Sequence, residues 1–223
     1  MENQKYLAIV ILIGGKSIRF GYEKGTIEIY NKPLLLYQIE TLAKFDEDIF
    51  ISANSEEQAI KVQTKIDFPK KVNFIVDERT QSHLKEIYTP LLGIYSAFKE
   101  LKRLGFQKAF TLSGDAPLIK SEVIKYMIQQ AKGYDCVIPR WENDFLEPLF
   151  AIYPVDSTYH RAEQIVKEKK HFGLNKLIQS AWKINYLSVE KELKPMDPSL
   201  TSLININGPI DIQKVKNILK KEN

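Results

Sequence analysis

The residues whose types could do chemistry fall in short turns, each directly behind a run of apolar residues. Gly14-Gly15-Lys16-Ser17 follows Leu7–Ile13, and Arg19, Gly21 and Lys24 come soon after. Glycines let backbone N–H groups approach phosphate oxygens, and a downstream arginine and lysine supply charge where a pyrophosphate would sit. An ordinary basic turn is the competing reading. A Walker A loop would need a glycine at position 10, where Val10 stands in mid-strand. Gly14, Gly15 and Gly21 do not give the G-x-G-x-x-G spacing of a dinucleotide loop. Asp115 lies in Ser113-Gly114-Asp115-Ala116-Pro117, behind the run Ala109–Leu112. A carboxylate opposite a phosphate loop suits Mg²⁺, which takes one or two carboxylates together with phosphate oxygens. The alternative is a turn aspartate bonding to its own backbone ahead of Pro117.

These turns are positioned by strands and helices in alternation. Strand-like runs are Leu7–Ile13, Ile49–Ala53, Val72–Val76, Ala109–Leu112 and Cys136–Ile138. They are continuous rather than alternating, as expected for strands covered on both faces. Amphipathic segments lie between them. Thr89-Pro90 is N-cap and first residue of one, with Leu91, Ile94, Phe98 and Leu101 on its apolar face. Ser121 is expected to cap another, with Ile124, Met127, Ile128 and Ala131 inward. Pro209 starts a third, with Ile212, Val215, Ile218 and Leu219 inward and Lys220-Lys221 at the end that favours cations. The expected fold is a single α/β domain, Rossmann-like, with a mostly parallel sheet flanked by helices. Beyond residue 139 the alternation weakens. Trp141–Glu147 is expected as a polar loop, Pro148–Tyr153 as a strand followed by two shorter helices, Lys183–Leu187 as a strand and Glu190–Ser199 as a loop. Ligands of open α/β sheets bind beyond the carboxyl ends of the strands. The glycine loop, Asn54, Asp77-Glu78 and Gly114-Asp115 therefore converge at one edge if the strands are parallel.

Composition narrows the class. The chain has 223 residues, 44% hydrophobic and 27% charged, ordinary proportions for a globular protein with a sizeable core. One cysteine, Cys136, excludes an internal disulfide and a zinc site of several thiolates, and its apolar run marks it as a core residue. His83, His160 and His171 are too scattered for a metal site. A net charge of +4, with five dispersed arginines, is not a nucleic-acid footprint. The apolar run Leu7–Ile13 is far shorter than the roughly 20 residues a membrane span needs. A cytoplasmic protein that binds neither membrane nor nucleic acid is expected.

Leu12-Ile13-Gly14-Gly15-Lys16-Ser17-Ile18-Arg19-Phe20-Gly21-Tyr22-Glu23-Lys24 resembles the L-x-G-G-x-S-x-R-M/F-G-x-D-K signature of the molybdenum cofactor guanylyltransferases. These belong to the GT-A-like nucleotidyltransferase superfamily. Asn31-Lys32-Pro33-Leu34, Pro90-Leu91-Leu92-Gly93-Ile94, Ser113-Gly114-Asp115-Ala116-Pro117-Leu118, Glu147-Pro148-Leu149 and Asn205-Ile206-Asn207-Gly208-Pro209-Ile210-Asp211 resemble further family motifs, in order. Ile13 stands where alanine is usual, Glu23 for Asp, Thr89 for Gly and Gly208 for Thr. None of these departures removes an ionisable group assigned to chemistry.

The resemblance implies one nucleotidyltransferase domain over residues 1–223, its nucleotide-binding part at about 1–120 and its acceptor-binding part at about 121–223. It implies a GTP site formed by Leu12, Ile13, Gly14, Gly15, Lys24, Asn54, Asp77 and Asp115. Arg19, Lys24 and Asp115 would carry catalysis, with Mg²⁺ on Asp115. Glu147, Pro148, Asn205 and Asn207 would meet the molybdopterin-type acceptor. The implied reaction is attack of the acceptor's terminal phosphate on the α-phosphorus of GTP, expelling pyrophosphate. That phosphate is already ionised near neutral pH, so no strong general base is required. Molybdenum or tungsten enzymes that accept the product are possible partners, and a monomer or weak oligomer is expected. Alternatives are cytidylyl transfer to the same acceptor, transfer to cobinamide phosphate or a sugar phosphate, and a catalytically silent GTP-binding partner.

Overall fold

The computed structural model describes residues 5–14, 27–78, 89–168 and 172–222. Arg19, Lys24 and Gly15 of the glycine loop lie outside the described residues, as do His83 and His171. The order of elements is β1 (Lys5–Leu12), β2 (Glu28–Ile29), β3 (Lys32–Pro33), α1 (Leu34–Leu42), β4 (Asp48–Ala53), α2 (Glu56–Lys65) and β5 (Val72–Val76). Then come α3 (Pro90–Arg103), β6 (Phe106–Ser113), α4 (Ser121–Gln130), β7 (Cys136–Arg140), β8 (Phe150–Pro154), α5 (Val155–Glu168), β9 (Ile184–Ser188) and α6 (Pro209–Glu222).

Seven strands form one sheet in the order β5-β4-β1-β6-β8-β7-β9. Only β8 runs antiparallel to its neighbours, so the mostly parallel sheet expected from the unbroken apolar runs is what forms. β1 shows why its run does not alternate. Leu7, Ile9, Ile11 and Ile13 join a core cluster with Leu35, Ile39, Val62 and Ile124, from α1, α2 and α4. Ala8, Val10 and Leu12 face the opposite cluster with Leu91, Phe98 and Ile165, from α3 and α5. Both faces are apolar because both are covered. On the second face Phe98 meets Tyr153 edge-on at 6.3 Å, and Tyr95 stacks on Tyr159 at 5.9 Å. α6 builds a third cluster, burying Val215 with Ile29, Leu34, Leu118 and Ile206, while Ile212, Ile218 and Leu219 pack partly buried against it.

Local signals are obeyed where short-range chemistry decides them. Thr89 caps α3, its hydroxyl accepting from the Leu91 N–H at 3.4 Å, with Pro90 in the first turn. Ser121 does not cap α4 but is its first residue. The cap position is Lys120, which makes no side-chain cap bond; its own N–H donates to Ser202 Oγ at 3.0 Å, 82 positions away. After β8 the first helix is not short: α5 has 14 residues, as many as α3, and the second is a single 3-10 turn, Leu174–Leu177. The expected loop Glu190–Ser199 opens with a π-helical turn, Val189–Leu193, because Val189 and Leu193 are both buried against the sheet. β9 runs one residue later than expected at each end.

Phe110 sits fully buried in β6, edge-on to Phe150 at 5.3 Å. Phe110→Ala is expected to cost about 3–5 kcal/mol, read from urea unfolding followed by circular dichroism. A loss under ~1 kcal/mol would contradict this assignment of the core.

Candidate functional site

In the sheet's register Leu12 lies level with both Ser52 and Ser113, and Ala53 with Val76. The parallel strands β1, β4, β5 and β6 therefore end together. Their next residues, Ile13-Gly14, Asn54, Asp77 and Gly114-Asp115, share one edge, as the sequence leads one to expect. The strand order also reverses here: β4 and β5 extend the sheet from one side of β1 and β6 from the other, which is where open α/β sheets hold their ligands.

Main-chain bonds sew the turns together. The Ile13 N–H donates to Ser52 O at 3.0 Å, the Asp77 N–H to Ala53 O at 2.8 Å and the Gly114 N–H to Leu12 O at 2.9 Å. Two buried glutamines complete the stitching. Gln58 accepts from the Asn54 N–H at 2.8 Å and donates to Ile13 O at 3.2 Å. Gln38 donates to Ser113 O at 2.7 Å and Ala116 O at 2.6 Å. Ser52 Oγ lies 3.1 Å from Asp77 Oδ1 and 3.4 Å from Gly93 O, joining the end of β4 to both the turn after β5 and the first turns of α3.

Both acidic residues at this edge are buried, Asp77 at 6% exposed and Asp115 at 2%. Ser113 Oγ donates to Asp115 Oδ1 at 2.5 Å. The neighbouring Glu78 turns away, its carboxylate 2.6 Å from Lys99 Nζ on α3. A cleft opens between the strand ends and the start of α3, lined by Leu12, Gly14, Asp77, Thr89, Pro90 and Leu149 among others. The approach is close at Gly14: a Cβ there would stand 3.2 Å from Asp77 Oδ2 and 3.3 Å from Asn54 N, so a side chain would need its neighbours to give way by a few tenths of an ångström. The two main-chain groups of Ile13 are engaged within the protein, whereas Leu12 and Gly14 face the cleft.

The segment from the chain's end reaches the same turn. The Ile206 N–H donates to Asp115 O at 2.8 Å, which brings Asn205 and Asn207 beside the Asp115 turn, both exposed. Glu147 and Pro148 are placed differently. Glu147 accepts from Trp141 Nε1 at 2.7 Å, and the Pro148 carbonyl accepts from Tyr153 OH at 2.9 Å, so the part of this motif that lines the cleft is Leu149. Cys136 is a core residue, its thiol pushed up to about 12 by burial. His160 is at the surface beside Lys102 and Asp156.

Gln38, Gln58 and Ser52 are absent from the residues singled out by motif. Their signal was available in one form: α1 and α2 each carry a glutamine on the apolar stripe, Gln38 between Leu35 and Ile39, and Gln58 beside Ala59 and Val62. A buried amide is costly unless it is paired, as Gln58 is through both its oxygen and its N–H and Gln38 through its N–H groups.

Among the described residues no group of three His, Cys, Asp or Glu could hold a metal ion on its own. The donors beside one another, the Asp115 carboxylate and the Ser113 hydroxyl, are hard oxygen ligands. Such a partial set fits Mg²⁺ that keeps its remaining ligands from phosphate and water.

The buried carboxylates and close-packed glycines put the candidate ligand site at the carboxyl edge of an open α/β sheet. The chain belongs to the MobA-like NTP transferase domain family, whose model matches residues 9–184. A probable molybdenum cofactor guanylyltransferase of Thermococcus sibiricus is 33% identical over 215 residues, 95% of this chain and 98% of that protein. The crystal structure of molybdopterin-guanine dinucleotide biosynthesis protein A from Archaeoglobus fulgidus is similar with a TM-score of 0.75 and 25% identity, over 96% of this chain and 99% of that one. The fold is shared as well with 4-diphosphocytidyl-2C-methyl-D-erythritolsynthase from Anaerococcus prevotii, at a TM-score of 0.67 and 16% identity over 97% of this chain and 96% of that one.

Two outcomes follow from this geometry. A Cβ on Gly114 would fall 2.6 Å from Ile13 Cγ2 and 3.1 Å from Leu12 O, so Gly114→Ala is expected to destabilise by about 1–3 kcal/mol in urea unfolding. An unchanged midpoint would show that the turn is not tightly seated. Burial raises the Glu147 carboxyl above its usual range, and the Trp141 N–H opposes that only in part. A raised folded pKa favours the folded state below the unfolded value and withdraws that contribution as pH rises through the folded one. Glu147→Gln, which still accepts from Trp141, is therefore expected to melt above the wild type at pH 7, with the gap closing toward the ordinary carboxyl value of 4.5. A gap independent of pH would contradict this.

Proposed function

We propose that the protein transfers GMP from GTP to the terminal phosphate of a molybdopterin-type cofactor, releasing pyrophosphate. The observation that carries this reading is the shared edge on which Gly14, Asn54, Asp77 and Asp115 meet, in a chain that matches the Thermococcus sibiricus guanylyltransferase almost end to end. Residues of about 1–120 form the nucleotide part and those of about 121–223 the acceptor part.

In this reading the nucleotide contacts the chain at Leu12, Ile13, Gly14 and Gly15. Asn54 and Asp77 contact the guanosine portion. Arg19 and Lys24 neutralise the triphosphate, and Asp115 presents its carboxylate to Mg²⁺ from a turn fixed at both ends. When bound, Mg²⁺ supplies charge neutralisation on the phosphate oxygens. Asn205 and Asn207, brought to the Asp115 turn by Ile206, meet the acceptor, and from the Glu147-Pro148-Leu149 motif Leu149 is the residue that faces the cleft. The acceptor phosphate is ionised near neutral pH and needs no base, so the residues act by positioning and by balancing charge. The product would pass to molybdenum or tungsten enzymes.

The test supplies α-labelled GTP, CTP and ATP separately, with Mg²⁺ and purified molybdenum cofactor. Labelled dinucleotide cofactor and pyrophosphate are expected from GTP alone, with Asp115→Ala lowering the rate on the order of 10²-fold or more. Transfer from CTP instead, or none from any nucleotide, would overturn the reading.

A further inference from the structure

Gln38 stands in the middle of α1 on its apolar side, among Leu34, Leu35, Ile39 and Leu42, and is as fully buried as they are. An apolar residue would satisfy that stripe at no polar cost, whereas a buried amide is expensive unless its groups are paired. Its carbonyl oxygen has no hydrogen-bond partner among the described residues. The position is thus occupied by a side chain whose whole return lies in its two N–H donors. Both are spent on one turn, at Ser113 O (2.7 Å) and Ala116 O (2.6 Å), the carbonyls that bracket Gly114 and Asp115. The Ala116 N–H also donates to Ser113 O at 3.2 Å, closing the turn. From the opposite side the Ile206 N–H holds Asp115 O at 2.8 Å. The turn is therefore clamped from α1 and from the chain's C-terminal segment, leaving the Asp115 peptide little freedom to rotate.

We propose that Gln38 is a positioning residue for Asp115: its amide clamps the Ser113–Ala116 turn so that the carboxylate is presented to the divalent cation that accompanies the nucleotide. This rests on the nucleotidyltransferase reading of the site. Gln38 touches neither substrate nor cation. It acts through the backbone, as the supporting partners of metal ligands do.

The test uses the full chain with Gln38→Met, which fills the same volume without donors. Mn²⁺ binding in the presence of GTP is followed by EPR, independently of turnover. The expected result is about a tenfold weaker Mn²⁺ affinity and a matching rise in half-saturating Mg²⁺ for guanylyl transfer. Adding Gln38→Met to Asp115→Ala should cause no further loss of Mn²⁺ binding, because the two substitutions act through one carboxylate. Lowered thermal stability with unchanged Mn²⁺ affinity would overturn the proposal, as would additive losses in the double variant. Should Gln38→Met fail to fold, Gln38→Asn takes its place. It keeps an amide one methylene too short to reach both carbonyls and should weaken Mn²⁺ in the same way; wild-type affinity in this variant would overturn the proposal. Absence of guanylyl transfer by the wild type, with Mn²⁺·GTP binding still weakened by Gln38→Met, would remove the proposed reaction and leave the positioning role intact.

Discussion

Where parallel strands stop, their main-chain N–H and C=O groups lose the ladder that paired them. In this protein four neighbouring strands, from the edge strand β5 inward to β6, stop at the same level. A buried unpaired peptide group costs about as much as a lost hydrogen bond. Everything at the carboxyl edge answers that demand. Ile13, Asp77 and Gly114 donate to the neighbouring strand's last carbonyls, and Gln58 pairs groups on two turns that cannot reach each other directly. The turns held this way lie close together, with half-buried Gly14 on the cleft and Gly114 buried beneath it.

The same demand explains where glycine stands. Gly93 lets the start of α3 come down onto the strand ends: a Cβ there would lie 3.0 Å from Leu12 Cδ2 and 3.1 Å from Ser52 Oγ. That approach is what allows the Ser52 hydroxyl to stand between Asp77 and the Gly93 carbonyl. A side chain there would need the Leu12 and Ser52 side chains to give way by a few tenths of an ångström. Packing density and carboxylate orientation are one constraint here.

Much of this was legible in the residues. Continuous apolar runs gave parallel strands because only a sheet covered twice needs them, and the ligand-edge rule then placed Gly14, Asn54, Asp77 and Asp115 together without reference to any relative. Thr89-Pro90 was legible because capping is decided within three residues. What could not be read depended on distant partners. Ser121 looks like a cap until Ser202 arrives to accept from Lys120. The stretch around Glu190 looks like a loop because its prolines, Pro195 and Pro198, outweigh the spacing of Val189 and Leu193, which matters only once the sheet is there to bury them. Gln38 is a helix former of no local distinction, and its meaning lies in carbonyls 75 and 78 residues onward.

The C-terminal segment draws these points together. Asp197, 2% exposed, accepts from Thr201 Oγ1 at 3.1 Å and from the Ser202 N–H at 2.8 Å, fixing the turn that leads into Asn205-Ile206-Asn207. Ser202 in turn holds the start of α4, the helix that follows the Asp115 turn, and Ile206 holds Asp115 itself. Ile206 is also anchored in the cluster that buries Val215 of α6. The late part of the chain is therefore bonded to the early part at the very peptide that carries the buried carboxylate. Any displacement of the Asn205–Asn207 segment has to pull on that peptide or break its hydrogen bond. If Asn205 and Asn207 meet the acceptor as proposed, that shared peptide ties the acceptor side directly to the turn that carries Asp115.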